Sequence, residues 1–190
     1  MASLLDAAAR VFGELGYHAA NTNAIAAQAK VSPATLYQFF PNKEAIADAL
    51  ATRYAMELAQ EEQAADIQEL ASAPLAEAIG RLTGVVTEFN RKHPAFLTLH
   101  TEAPLSKDTL EQKHAVSQTF IEHLSELLMA RNPKLDRQDA RWSAEIVLTA
   151  LKGFLPALAG RKKSIRSRTI DSLNQMLVRY LESVLKTPER

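Results

Sequence analysis

Cysteine is absent from the 190 residues of this chain, which removes disulfides and thiolate-held metals from consideration. Glycine is scarce, at 6 residues, and neither a glycine-rich phosphate loop nor a nucleophile elbow is present, so enzyme chemistry finds no foothold. His93, His100, His114 and His123 show no i, i+4 pairing or accompanying carboxylate motif. No metal and no cofactor are expected. No apolar run approaches the ~20 residues that a bilayer span requires, so no membrane partner is expected. Met1–Arg10 has no basic flank leading into an apolar stretch and does not read as a signal peptide, which makes a cytoplasmic location the default expectation. A basic excess is missing too: 22 Lys and Arg balance 22 Asp and Glu, whereas nucleic-acid binders usually carry a surplus of cations. The balance is local as well, because Arg10, Lys30, Lys43 and Arg53 face Asp6, Glu14, Glu44 and Asp48 over the first stretch of chain. Any DNA contact made there has few long cationic side chains to draw on.

What the chain does have is apolar content, at 47% hydrophobic residues against 23% charged, enough to bury a real core. No segment alternates apolar and polar residues convincingly, so no strand is expected. Pro41, Pro74, Pro94, Pro104 and Pro133 fall between stretches of helical periodicity, where helices begin or stop. The expected fold is all-α with about nine helices. The first runs over Ser3–Leu15 and ends at Gly16; two short ones follow at Asn23–Ala29 and Pro33–Phe39; a fourth starts from Asn42 as N-cap. The rest are expected at Leu75–Lys92, Pro94–Glu102, Lys107–Arg131, Asp136–Ala159 (ending at Gly160) and Ile165–Leu185.

The segment Thr22–Lys43 is the most informative. Thr22 is placed to cap a helix whose inward residues are Ile25, Ala26 and Ala29, and Val31 falls in a tight turn. Ser32 followed by Pro33 is a cap plus a favoured first-turn residue, so a second helix starts at once. Its inward residues are Leu36 and Phe40, which leaves Pro33, Ala34, Thr35, Tyr37, Gln38 and Phe39 outward. Two short helices joined by a tight turn, the second presenting small and polar side chains, have the geometry that enters a major groove. Thr35 and Gln38 suit base edges, and the methyls of Ala34 and Thr35 suit a thymine methyl. Tyr37 and Lys43 suit phosphate oxygens, Lys43 standing in the first turn of a helix. Spacing alone leaves open that the pair is only a hairpin within a helical bundle.

Four sequence elements go further. They are LLDAAARVFGELGY at Leu4–Tyr17, T-x-x-I-A at Thr22–Ala26, V-S-x-x-T-L-Y at Val31–Tyr37 and F-x-N-K-E at Phe40–Glu44. In this order and without gaps, they resemble the N-terminal domain of the TetR family of transcriptional repressors. The resemblance implies a three-helix helix-turn-helix DNA-binding domain over residues 1–50 and a larger helical ligand-binding and dimerisation domain over 51–190. It implies that Pro33, Ala34, Thr35 and Gln38 face the groove, that Thr22, Tyr37 and Lys43 touch the backbone, and that Asn23 reaches a base in some members. Three departures stand out: Lys30 replaces the usual glycine, Phe39 replaces a residue that is usually histidine or otherwise polar, and no basic stretch precedes the first helix.

Past residue 55 the resemblance is one of architecture. It implies a homodimer through the Asp136–Ala159 and Ile165–Leu185 helices, with Leu177 and Leu181 buried between subunits and Ala150, Gly153 and Ala157 at close-packing spacing. It also implies a mainly hydrophobic or aromatic effector that releases a double-stranded operator. Phe96, Leu99, Phe120 and Trp142 are the candidate apolar contacts, with Glu145 or Thr149 as the polar one. Gly80 and Gly84 read as close helix packing, and the cationic run Arg161–Arg168 as a solvated loop. The competing function is a helical DNA-binding or DNA-organising protein with no small-molecule role.

Overall fold

The computed structural model describes residues 2–63, 67–158 and 161–186. Among them are ten helices and no strand: α1 (Ala2–Ala19), α2 (Thr22–Ala29), α3 (Pro33–Phe39), α4 (Lys43–Gln63), α5 (Ile67–Ser72), α6 (Leu75–Lys92), α7 (Pro94–Thr101), α8 (Lys107–Arg131), α9 (Arg137–Leu158) and α10 (Lys163–Leu185). The tenth, α5, escapes the periodicity argument because six residues with a single buried side chain, Leu70, do not make a stripe. The expected end of the eighth helix at Ala159 and Gly160 lies outside the described residues.

Packing divides the chain into two compact units that do not follow chain order. One joins Met1–Leu58 to Glu88–Ala115, and the other joins Ala59–Thr87 to Val116–Arg190. Helices α4, α6 and α8 each contribute residues to both.

In the first unit, Leu5, Ala8 and Phe12 of α1 are buried with Ile25 of α2, Leu36 of α3, Ile46, Leu50 and Tyr54 of α4, and Leu99 of α7. Gly13 permits a close approach of α1 to α7, since a Cβ there would stand 3.1 Å from Pro94 Cβ. Gly16 adopts φ 77, ψ 166 and kinks α1 instead of ending it. A left-handed φ of this kind is open to glycine and costly to other residues. Beyond the kink the Tyr17 N–H donates to the Glu102 carboxylate at 3.0 Å. A ring cluster joins α4, α6 and α7: Tyr54 lies 4.9 Å from His93, and Phe89 lies 4.3 Å from His93 and 5.1 Å from Phe96. Burial pushes the Tyr54 hydroxyl up to about 12, because an ionised phenolate loses its hydration there.

In the second unit, Leu124, Leu127 and Leu128 of α8, Val147, Leu151 and Leu155 of α9, and Leu173, Leu177 and Leu181 of α10 are buried. Leu177 and Leu181 were the expected contacts between subunits. They are instead core residues of the chain itself, 2% and 0% exposed. The apolar stripe of α10 is consumed by its own subunit. The buried Thr83 hydroxyl bonds Asn174 Oδ1 at 2.7 Å. The half-buried Arg131 guanidinium donates through one terminal nitrogen to the Leu70 carbonyl at 2.7 Å and to that of Ala73, while its Nε is buried without a partner. Arg131 thus satisfies carbonyls at the end of α5, where a helix has no internal donors left. The expected close packing at Gly80 and Gly84 does not occur among the described residues, where a Cβ at either position would meet nothing within 4 Å.

Candidate nucleic-acid interface

The helix-turn-helix is built by three local devices. Asn21, not the expected Thr22, is the cap of α2: its backbone is extended (φ −141) and its side chain accepts from the Ala24 N–H at 2.9 Å. The run Asn21-Thr22-Asn23 offers three capping side chains in succession, and residue type alone does not decide between them. Thr22 is thereby released to bond the Tyr37 hydroxyl at 3.0 Å, tying α2 to α3.

The turn then closes on Lys30 in the left-handed region, φ 56 and ψ 40. Its N–H reaches the Ala27 carbonyl at 3.0 Å, and the Val31 N–H reaches that of Ala26 at 3.0 Å. Lysine holds there the conformation that the family pattern gives to glycine, at a local steric cost. Ser32 starts α3, its Oγ accepting from the Thr35 N–H at 3.1 Å, with Pro33 in the first turn. The Thr35 hydroxyl lies 2.9 Å from Ser32 Oγ and shares in the cap.

Leu36 and Phe40 are buried and fix the rotation of α3 about its axis. Asn23, Pro33, Ala34, Gln38, Tyr37 (51%) and Phe39 (49%) are exposed, and Thr35 and Thr22 are half-buried. Of the outward set expected on α3, all but Thr35 are exposed.

Lys43 stands in the first turn of α4, as expected, and its side chain turns back onto α1. Its ammonium donates at 2.9 Å to both the Tyr17 and Ala20 carbonyls and lies 4.3 Å from the centre of the Tyr17 ring. Two of its three N–H groups are thus committed to the C-terminal end of α1, where a cation also meets the negative end of the helix dipole. Tyr17 donates to Glu44 at 3.1 Å, and burial, followed by this bond, pushes its hydroxyl up to about 12. Asn42 does cap α4 as expected, accepting from the Ala45 N–H at 2.8 Å. Arg53 is paired with Asp6 at 2.7 Å. The role of Glu102 in holding Tyr17 was missed, because a partner 85 residues away leaves no local signal.

The candidate effector contacts are divided between the two units. Phe96 is half-buried in the ring cluster of the first unit, and Leu99 is buried in that unit's core. Phe120 is buried in the second unit. Trp142 is 64% exposed and Thr149 is exposed, so the expectation that they line an interior site is corrected. They share the outer face of α9 with Ile146 and Gly153, spread over about three turns, opposite the Val147–Leu151–Leu155 stripe that enters the core. Glu145 is half-buried and paired with Arg141 at 3.3 Å. Arg161, Lys162, Lys163 and Arg168 are exposed, with Arg166 half-buried. No cluster of three metal-ligating side chains occurs among the described residues, and none of the described helices is long and apolar enough to cross a membrane.

Comparison with known proteins gives a consistent answer. Residues 4–50 match the family model for bacterial regulatory proteins of the tetR family, and residues 74–181 match that for the tetracyclin repressor-like C-terminal domain. An HTH-type transcriptional regulator of Bacillus subtilis, YhgD, is 31% identical over 99 residues, covering 52% of this chain and 50% of that protein. The match thus spans about half the length of this relative. Among solved structures, a transcriptional regulator from Rhodococcus sp. Rha1 superposes with a TM-score of 0.77 at 15% identity, covering 96% and 95% of the two chains. PfmR of Thermus thermophilus gives 0.67 at 20% identity, covering 98% and 99%. FadR of Bacillus subtilis, in complex with stearoyl-CoA, gives 0.65 at 18% identity, covering 96% and 98%. At these identities the likeness is one of fold.

Proposed function

Since the chain belongs to the TetR family, we propose that it is a transcriptional regulator, acting as a repressor, that binds operator DNA as a homodimer through α3 and is released by a mainly apolar small molecule. The observation that carries the DNA reading is the recognition helix itself. Leu36 anchors α3 inward while Pro33, Ala34, Tyr37, Gln38 and Phe39 stand in solvent, the disposition a major-groove helix requires. Asn23 and Gln38 are the candidates for base edges; Thr22 and Tyr37, joined by their hydroxyls, are the candidates for backbone phosphate.

Dimerisation is supported by the outer faces of α9 and α10. Trp142 and Ile146 on one, and Ile165 and Met176 on the other, are large apolar side chains left exposed by a single chain. Exposed apolar area of this kind marks an interaction surface, and a two-fold partner places two recognition helices on half-sites about one DNA turn or a multiple apart.

The effector reading is supported by the fold shared with a regulator that holds stearoyl-CoA and by the half-buried Phe96 among aromatic rings. Release follows if the effector binds one state of the protein better than the other. The experiment is a DNA-binding titration of the full chain, repeated with a panel of fatty acids, fatty acyl-CoAs and aromatic acids. Loss of DNA affinity with one compound class supports the proposal. A panel that leaves DNA affinity unchanged removes the effector and favours a ligand-independent DNA-binding protein.

A further inference from the structure

The cationic resources of the DNA-facing segment are smaller than its composition suggests. Of Arg10, Lys30, Lys43 and Arg53, Lys43 is bonded to two α1 carbonyls and Arg53 is paired with Asp6. That leaves Arg10 and Lys30 as the exposed cations of this segment, so few ionic phosphate contacts are available to it. At the same time a wholly apolar ring stands on the recognition helix. Phe39, the last residue of α3, is 49% exposed although the buried Leu36 and Phe40 flank it. It follows Thr35 by four residues, so the two lie on one side of α3, with Gln38 about a quarter turn away around the helix. Tyr37, two residues earlier, points elsewhere and ends in a hydroxyl bonded to Thr22. Phe39 has no donor or acceptor and cannot serve a phosphate.

Resting on the DNA-binding reading above, we propose that Phe39 makes an apolar contact with DNA at the edge of the major groove, replacing an ionic contact by a hydrocarbon one. Duplex DNA presents hydrocarbon to a groove-bound helix in two places, the C5-methyl of thymine and the deoxyribose carbons of the groove wall. Burying the exposed half of the ring against either gives affinity that releases no counterion. Such a contact is insensitive to salt, unlike one made by a cation.

The test uses a duplex selected from a random pool by the full chain. Phe39→Ala should weaken binding on the order of tenfold, the loss expected for partly burying a phenyl ring, while the slope of log affinity against log salt stays that of the parent. Because Phe39 is exposed, the variant should keep its helical circular dichroism and thermal midpoint. The same duplex made with deoxyuridine for thymine locates the contact. If the parent loses affinity on it and Phe39→Ala loses nothing further, the ring meets a methyl; if the parent is indifferent, it meets deoxyribose. Unchanged affinity in Phe39→Ala, or a changed salt slope, overturns the inference. Gln38→Ala separates this from failure of the DNA reading: if it weakens binding while Phe39→Ala does not, only the apolar contact falls. If the random pool yields no bound duplex, the DNA reading itself falls, and this inference with it.

Discussion

The Lys43 ammonium closes the C-terminal end of α1, bonded at 2.9 Å to the Tyr17 carbonyl and stacked 4.3 Å from the centre of the same residue's ring. One residue thus contributes both the carbonyl and the aromatic face. Removing the ammonium should be felt in stability before it is felt in DNA binding. Lys43→Ala is expected to destabilise the protein by ~1–3 kcal/mol, the range for losing hydrogen bonds to a partly buried charged group. Thermal unfolding with and without DNA reads this. An unchanged midpoint accompanied by lost DNA affinity would mean that Lys43 serves a phosphate and not α1.

The side chains that read bases should be separable from those that build the helix. Gln38→Ala is expected to relax sequence preference, at ~1–3 kcal/mol for a lost base contact, with folding unaffected because the side chain is exposed. Thr35→Ala should also lower stability, since its hydroxyl is part of the Ser32 cap. Binding-site selection with each variant checks the first point and thermal melts the second. Equal preference in the parent and Gln38→Ala would move base reading elsewhere.

Much of this interface is legible in sequence because it is built from local rules. The Ser32-Pro33 start, the inward Leu36 and Phe40, and the Asn42 cap all follow from residue types at fixed offsets. The kink at Gly16, the grip of Glu102 on Tyr17 and the turning of Lys43 onto α1 were not legible, because each depends on a partner distant in the chain or on competition between two suitable roles. The same limit applies to α10: its amphipathic stripe was plain, but periodicity does not say whether Leu177 and Leu181 face their own subunit or another. In the effector region no local rule distinguished the inner face of α9 from the outer, and Trp142 and Thr149 fell on the outer one.

The interface between subunits is expected on that outer face. Ile146→Glu together with Met176→Glu should give a helical, folded monomer by sedimentation, since both residues are exposed in the single chain. Leu177→Glu should instead lose the fold of its unit, because burying an uncompensated charge in a leucine core is costly. Trp142, the single tryptophan, should shift its emission to shorter wavelength as protein concentration rises through the dimerisation range. A double mutant that remains dimeric would place the interface elsewhere.

Alkaline behaviour follows from two tyrosines. Tyr17 and Tyr54 are both raised to about 12, above the unfolded value near 10. Their neutral forms are favoured by folding, so the stability they contribute is complete below about pH 10 and lost as pH rises through about 12. Ultraviolet titration should show part of the tyrosinate absorbance delayed until about pH 12 and coincident with loss of helical signal. Ionisation of all tyrosines near pH 10 with the fold intact would contradict the burial described for these two rings.

The reading of the whole chain rests on sequence-specific DNA binding by α3, and selection from a random duplex pool at fixed salt tests that most directly. The account predicts an enriched, two-fold symmetric motif with half-sites about one helical turn or a multiple apart. It also predicts a salt slope shallow for a dimeric repressor, roughly four to six in magnitude, because few free cations face the duplex. A pool that emerges unenriched, or binding that is equally strong on every sequence, would contradict it.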